Sequence, residues 1–256
     1  MKIIASDFDG TLLRNGLISS EDINAIVRWR KTGNLFGLVT GRNSGSANHE
    51  LISRGIEYDF LICNNGSAIY NSKNECIDAV TGDNSVLKQL VEYIINFNGN
   101  RAAISGVHNR VCVILDATPE RMVLDNNTWI QLDDIESLPY SFTQIDTNAI
   151  TCQNAHDLAC LINTKLGNYV YAHLNGNNVD ITPKGVDKPN GIYRLINMLN
   201  IDKDNVYVIG DNLNDLAMIR EFNGFAVSSG NPAIISEAKK VYDSINDLIE
   251  DWSDLK

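Results

Sequence analysis

Two aspartates near the N-terminus have a spacing that is suited to chemistry. Asp7 and Asp9 end a short apolar run, and Gly10 and Thr11 follow them at once in the stretch DFDGT. Two like charges this close repel each other, so a purely structural segment has little reason to hold them together. The pair therefore indicates a bound cation.

Two further polar clusters follow apolar runs later in the chain, TGR at residues 40–42 and GDNLND at residues 210–215. All three clusters are predicted at the C-terminal ends of parallel strands, where open α/β sheets bind their ligands. Aspartates at strand ends also cap helices, and capping remains an alternative for any one cluster. It accounts less well for three clusters at the same sheet edge.

The acidic residues of these clusters suit a magnesium ion. Mg²⁺ prefers hard oxygen ligands in octahedral geometry, and the clusters supply four carboxylates. These are Asp7, Asp9, Asp211 and Asp215.

The remaining residues suit a phosphate group. Gly10 lets the backbone come close to an anion, and Thr40 offers a hydroxyl at the start of a predicted helix, whose amides favour phosphate. One cation should complete the site. Lys188, just before a predicted helix, is the best placed, and Lys184 is the alternative.

The elements that must position these residues follow an α/β pattern. Buried strands and amphipathic helices alternate in the first third, which predicts a parallel sheet with right-handed crossovers. The same pattern resumes in the last third. The predicted strands and helices are KIIAS, SSEDINAIVRWRKTG, LFGLVT and FLIC, then PNGIYRLINMLN, NVYVIGD, NLNDLAMIREF, FAVSS and INDLIEDWSDL.

The middle of the chain has a different pattern, with two units of one helix followed by two strands. SVLKQLVEYIINF precedes RAAIS and VCVILD, and AHDLACLINTKLG precedes YVYAHL and NVDIT. This pattern predicts an antiparallel sheet with helices on one face. We therefore expect residues 83–181 to form an inserted α+β domain, and residues 1–82 and 182–256 to form the α/β domain that carries the chemistry.

Composition limits the possible partners. The 256 residues carry a formal net charge of -11, which argues against binding nucleic acid or an anionic membrane. No run approaches the roughly 20 apolar residues of a membrane span, and the N-terminus lacks the pattern of a signal peptide. The five scattered cysteines are predicted to be free thiols, so we expect a cytoplasmic protein.

The four motifs, DFDGT, TGR, a lysine after the insert and GDNLND, resemble in matching order those of the haloacid dehalogenase superfamily of phosphatases. The insert between the second and third motifs resembles the C2B-type α/β cap of the superfamily's Cof-type branch. That branch is similar to sugar-phosphate and sucrose-phosphate phosphatases. The resemblance covers essentially the whole chain and implies a Rossmann-like parallel-sheet core with an inserted cap domain. One departure is KPNG, where relatives often have Lys-Gly.

The resemblance also implies roles for individual residues. Asp7 would attack phosphorus to form an aspartyl phosphate, and Asp9 would protonate the leaving alcohol and later deprotonate water. Mg²⁺ would bind Asp7, the backbone carbonyl of Asp9 and Asp211, with support from Asp215. The phosphoryl group of a small phosphorylated metabolite would be bound by Thr40, Gly41, Lys188 and Asn214.

Other functions remain open at this stage. A phosphoaccepting receiver domain also has an acidic Mg²⁺ pocket with a Thr and a Lys, but it is about half as long and has no insert. A catalytically idle binding protein and a phosphohexomutase of the same fold are further alternatives. We expect the insert to be a mobile cap that selects the leaving group, with His108, Arg110, Asn175 and Asn178 as candidate contacts.

Overall fold

The computed structural model describes residues 1–115 and 128–253. The chain forms two compact units. The first consists of Met1–Asp78 together with Lys188–Lys256, and the second of Ala79–Asp187.

The first unit contains an eight-stranded sheet with the order β14-β13-β12-β1-β2-β3-β4-β5. The described pairings from β14 to β3 are parallel, and β4 runs antiparallel to β3. The strands are β1 Ile3–Ser6, β2 Leu35–Val39, β3 Phe60–Cys63, β4 Ala68–Asn71, β5 Cys76–Ala79, β12 Val206–Gly210, β13 Asn223–Val227 and β14 Lys240–Tyr242.

The helices of the first unit connect these strands, as the alternating pattern predicts. They are α1 Ser20–Lys31, α2 Ser44–Ser53, α5 Lys188–Leu199, α6 Leu216–Glu221, α7 Pro232–Glu237 and α8 Ile245–Ser253. The side chain of Ser19 caps α1 by accepting a hydrogen bond from the Asp22 amide at 3.0 Å. Short 3₁₀ turns occupy Asn64–Gly66, Lys203–Asn205 and Leu213–Asp215.

The strand order places β1 between β2 and β12. The chain passes from β1 through β2 to β3 on one side, and β12 lies on the other side of β1. The order therefore reverses beside β1, and the ligand crevice of an open α/β sheet lies outside the carboxyl ends of the strands at such a point. Asp7 and Asp211 follow directly after β1 and β12.

The second unit contains a six-stranded sheet with the order β10-β11-β9-β6-β7-β8, in which β7 and β8 are parallel and the other described pairs antiparallel. Its own apolar core joins the sheet to the two helices. The elements are α3 Leu87–Asn96, β6 Ala102–Ser105, β7 Arg110–Val113, β8 Thr128–Ile130, β9 Gln144–Asn148, α4 Cys152–Lys165, β10 Val170–Asn175 and β11 Asn178–Pro183, with 3₁₀ turns at Asn84–Val86 and Leu132–Ser137.

The structure departs from the sequence prediction in several places. The second unit spans Ala79–Asp187, a few residues beyond the predicted limits of 83 and 181 at each end. The helix predicted from NLNDLAMIREF is divided into a 3₁₀ turn and α6. Strands β4, β5, β8, β9 and β14 were not predicted. The last residues of the predicted segments VCVILD and INDLIEDWSDL lie outside the described residues.

No helix within the described ranges combines the length and apolar character that crossing a membrane requires.

Candidate active site

Asp7 and Lys188 form a buried ion pair at the end of β1. The amide of Asp7 donates to the Ile209 carbonyl at 2.9 Å, so the pairing of β1 with β12 continues past the strand. The Asp7 side chain is only 8% exposed, and Nζ of Lys188 lies 2.6 Å from its Oδ1. Lys188, predicted just before this helix, is the first residue of α5, whereas Lys184 is exposed in the second unit.

The loop after β12 brings two more carboxylates to this pair. Nζ of Lys188 also contacts Oδ1 of the fully buried Asp215 at 2.5 Å. The other oxygen of Asp215 accepts hydrogen bonds from the amides of Asp211 and Asn212 at 3.0 and 3.2 Å. These bonds fold the GDNLND loop into a turn that places Asp211 near Asp7.

Three carboxylates meet here in an arrangement that fits a divalent cation. Oxygen atoms of Asp7, Asp211 and Asp215 all lie within 4.8 Å of one another. Three negative charges and the one positive charge of Lys188 leave a local charge that a dication would balance. Hard oxygen donors at this spacing are the ligands that Mg²⁺ prefers.

Gly10 makes room for this group of carboxylates. Its φ is +90°, and a Cβ atom built on it would lie 2.3 Å from Oδ2 of Asp211. Any side chain at residue 10 would therefore displace Asp211 as well as strain the backbone. Thr11, which is fully buried, donates a hydrogen bond to Oδ1 of Asp211 at 2.9 Å.

Burial and mutual repulsion shift the pKa values of these groups. Burial, followed by the Asp215 charge, raises the pKa of Asp7 well above its ordinary value, although Lys188 opposes the shift. Burial also raises the pKa of Asp211. Burial would lower the pKa of Lys188, but Asp215 and Asp7 outweigh it and hold that pKa above its ordinary value. A bound cation would stabilise the ionised forms of Asp7 and Asp211, the two groups whose pKa values are raised.

Thr40 and Gly41 follow β2, the strand next to β1. Thr40 is 2% exposed, and its amide donates to the Ile62 carbonyl at 2.9 Å. Its hydroxyl oxygen accepts a hydrogen bond from the Arg42 amide at 3.1 Å. Asn214 is half-buried in the turn that carries Asp215.

Asp9 stands apart from the other predicted carboxylates. Within the described part of the chain, the group of acidic residues near Asp7 does not include it. Its two oxygens instead accept hydrogen bonds from Nη2 and Nε of Arg42 at 2.7 and 2.8 Å. This bond to Asp9 raises the pKa of Arg42.

Arg42 and Thr11 lie within the motifs TGR and DFDGT, but the sequence alone predicts no role for either. Their partners Asp9 and Asp211 are 33 and 200 residues away in the chain. Their position inside a motif was the one indication of a role, because a single sequence does not reveal which distant side chains form pairs.

The sequence model of the haloacid dehalogenase-like hydrolase family matches residues 4–248. The chain therefore belongs to that family, and the resemblance seen in the four motifs is confirmed.

Two relatives match nearly the whole chain. A 5-amino-6-(5-phospho-D-ribitylamino)uracil phosphatase of Bacillus subtilis is 28% identical over 253 residues, which cover 98% of this chain and 92% of the relative. A pyridoxal phosphate phosphatase of Escherichia coli is 28% identical over 251 residues, covering 90% and 88%. Family membership and these phosphatases confirm the predicted enzyme class, a phosphoric monoester hydrolase.

Solved structures confirm the predicted fold class. A haloacid dehalogenase-like hydrolase from B. subtilis superimposes with a TM-score of 0.83 at 18% identity, covering 100% of both chains. A subclass IIB sugar phosphatase of the same superfamily has a TM-score of 0.81 at 18% identity, covering 100% of this chain and 99% of its own. At this identity the likeness concerns the fold alone.

Proposed function

We propose that this protein is a Mg²⁺-dependent phosphatase that hydrolyses a small phosphomonoester through an aspartyl phosphate on Asp7. The observation that carries the proposal is the buried Asp7 carboxylate, held by Lys188 and grouped with Asp211 and Asp215 at the point where the strand order reverses. Phosphoryl transfer depends mostly on positioning and on neutralising charge, and this group of residues offers both.

The first step forms a bond between a carboxylate oxygen of Asp7 and phosphorus, and the bond from phosphorus to the alcohol oxygen breaks. The Asp9 carboxyl group gives its proton to the departing oxygen. In the second step a water oxygen bonds to phosphorus and releases Asp7, while Asp9 takes the proton of that water. Asp9 thereby returns to its starting state, and phosphate is released.

The other predicted residues bind and orient the phosphoryl group. Lys188 would donate hydrogen bonds to its oxygens, and the Thr40 hydroxyl and the Gly41 amide would hold it from β2. Asn214 would orient it from the loop after β12. Asp7, Asp211 and Asp215, with the Asp9 carbonyl as a further ligand, would hold Mg²⁺, which when bound would neutralise negative charge on the phosphoryl oxygens.

We further propose a small phosphorylated metabolite as substrate, a sugar phosphate or a molecule of similar size. The relatives are phosphatases of a ribitylamino compound and of pyridoxal phosphate, which are both small phosphomonoesters. The inserted unit would select among such substrates. Among its candidate contacts, Arg110 pairs with Asp146 at 2.8 Å and Asn178 accepts a hydrogen bond from Asn148 at 2.9 Å.

The proposal is tested by phosphate release from p-nitrophenyl phosphate and from a panel of sugar phosphates, nucleotides and pyridoxal phosphate. Asp7→Asn removes the attacking oxygen, so it should reduce turnover by several orders of magnitude and leave the fold intact. EDTA should abolish the activity of the wild-type protein, and added Mg²⁺ should restore it. An active Asp7→Asn protein, or full activity in EDTA, would refute the mechanism.

A further inference from the structure

The turn that follows β3 has a left-handed backbone at three consecutive residues. Asn64, Asn65 and Gly66 have φ values of +52°, +52° and +106°. Few residues other than glycine adopt this conformation, and asparagine is one of them. Both asparagines are buried. A backbone with this strain persists only where the surrounding structure requires it, and such places are often functional.

The amides of the two asparagines hold the loop that follows β2. The Asn65 amide donates to the Thr40 carbonyl at 3.0 Å, and the Asn64 amide donates to the Arg42 carbonyl at 2.9 Å. Consecutive amides of an extended strand point to opposite sides. The left-handed turn is therefore what lets both of these amides reach the same loop.

The strand order determines where the amide of Gly41 points. Strand β2 lies between β1 and β3. The Thr40 carbonyl points to the side of β3, because its donor, Asn65, follows that strand. In a planar trans peptide the carbonyl and the amide point in opposite directions. The Gly41 amide belongs to the same peptide unit as the Thr40 carbonyl, so it points to the side of β1, which Asp7 follows directly.

The turn is also held from its other side, by helix α5. Nη2 of Arg194 donates to the carbonyls of Gly66 and Ser67 at 2.8 and 3.2 Å. Nε of the same guanidinium donates to Oδ2 of Asp78 at 2.6 Å. The turn is thus a fixed support for the loop after β2.

We propose that Asn65 is a positioning residue for phosphoryl binding, whose left-handed backbone holds the Thr40 carbonyl and thereby aims the Gly41 amide at a phosphoryl group beside Asp7. The inference rests on the proposed function, in which Gly41 binds that group. Asn65 does not touch the reacting atoms and acts through the Thr40–Gly41 peptide. Glycine has wide backbone freedom, so an amide at this residue needs such a support to be oriented in advance.

The test ranks substitutions at residue 65 by their tolerance of a left-handed backbone. Asn65→Gly removes the side chain and keeps the conformation, whereas Asn65→Val strongly disfavours it and should turn the amide away from Thr40. Asn65→Val should weaken the binding of inorganic phosphate by at least about tenfold, the loss expected for one hydrogen bond to a charged group. Asn65→Gly should bind phosphate as the wild type does, and Asn65→Ala should lie between the two.

Two measurements give the affinity for phosphate. Isothermal titration in the presence of Mg²⁺ gives the Kd without reference to turnover. Competitive inhibition of p-nitrophenyl phosphate hydrolysis by phosphate shows that the binding takes place at the active site.

Asn74 provides a matched control in the same unit. Its φ is +59°, and it lies in the turn between β4 and β5, where its amide donates to the Asn71 carbonyl at 2.9 Å. Asn74→Val imposes the same backbone strain away from the loop after β2. It should lower stability in urea unfolding and leave the affinity for phosphate at the wild-type value.

The possible failures are distinguishable. If the wild type hydrolyses p-nitrophenyl phosphate and Asn65→Val binds phosphate as tightly as the wild type, the inference is overturned and the proposed function stands. An equal loss of affinity in Asn65→Gly would assign the effect to the side chain, and an equal loss in Asn74→Val would assign it to general strain; either result overturns the inference.

If Asn65→Val does not fold, Asn65→Ala and Asn65→Gly decide the same question, because they differ only by a methyl group and by the backbone preference that it brings. Equal affinity of these two variants for phosphate would then overturn the inference. If the wild type neither hydrolyses p-nitrophenyl phosphate nor binds phosphate, the proposed function fails and the inference fails with it.

Discussion

The hydroxyl of Thr11 lies inside the first unit and donates to Oδ1 of Asp211, a proposed metal ligand. The backbone of Thr11 is held too, because its carbonyl accepts from Nη1 of Arg14 at 2.6 Å. Nη2 of Arg14 contacts the fully buried Asp22 at 2.5 Å. Thr11 is thus a fixed donor that turns the Asp211 carboxylate toward Asp7. Groups that orient a metal ligand in this way affect how tightly the metal binds.

We therefore predict that Thr11→Val weakens Mg²⁺ binding by roughly 10- to 100-fold, since valine has the same shape but cannot donate. Isothermal titration of the metal-free protein with Mg²⁺ measures the affinity directly, without reference to turnover. Thr11→Ser keeps the hydroxyl and should bind Mg²⁺ nearly as the wild type does. Equal affinity of Thr11→Val and wild type would remove Thr11 from the metal site.

At the scale of elements, helix α5 carries Lys188 and must pack closely against the end of β3. Gly191, one turn into α5, allows this approach. A Cβ atom at residue 191 would lie 2.7 Å from a methyl carbon of Ile62 and 2.9 Å from Cα of Gly66. Arg194, later on the same helix, donates to the Gly66 carbonyl at 2.8 Å. The helix is thereby held against the turn that follows β3.

Gly191→Ala should push α5 away from this turn and destabilise the protein. Crowding of a packed interior costs about 1–3 kcal/mol and replacing glycine within a helix gains about 1 kcal/mol, so the expected net loss is up to about 2 kcal/mol. Urea unfolding should show the loss. Gly45 in α2 is the matched control, because its added Cβ would meet its nearest neighbour at 3.4 Å. If Gly45→Ala and Gly191→Ala change the free energy of unfolding equally, close packing of α5 at Gly191 does not contribute to stability.

The elements also show what a single sequence can and cannot predict. Strands β1 and β2 and helix α1 follow from apolar runs, helical periodicity and a serine cap predicted at Ser19 or Ser20, all of which are local signals; the structure places the cap at Ser19. Strand β9, Gln144–Asn148, lies inside the second sheet but carries Asp146. That carboxylate is balanced by Arg101 and Arg110, at 3.0 and 2.8 Å. Arg110 lies on β7 and Arg101 directly precedes β6, both far from β9 in the sequence, so the segment QIDTN alone gives no sign of an interior strand.

The same limit applies to the candidate site. The residue types and their places at strand ends were predictable, because parallel strands bring their carboxyl ends to one edge. The pairing of Lys188 with both Asp7 and Asp215 depends on the exact start of α5 and on the turn after β12. The hydrogen bonds of Arg42 to Asp9 depend on the path of the loop that connects β2 to α2. These contacts are set by tertiary packing rather than by local sequence.

At the scale of the whole molecule, each unit has its own apolar core. The core of the second unit lies entirely within Ala79–Asp187, and a core of the first unit joins residues before the insert to residues after it. Bodies with separate cores can unfold separately, so two-state behaviour is not expected for the full chain. The proposed Mg²⁺ ligands all lie in the first unit.

We predict that calorimetry resolves two unfolding transitions and that Mg²⁺ raises the temperature of only one. At a concentration of 100 times the Kd, binding adds about 2.7 kcal/mol to the stability of the unit that holds the ion. For a unit of this size the transition should rise by roughly 5–10 °C. Asp211→Asn removes a ligand, so it should abolish the shift and leave the other transition at its wild-type temperature. A single transition that Mg²⁺ moves as a whole would show instead that the two units unfold as one cooperative body, and two transitions that both stay in place would mean that no metal binds at the carboxylates.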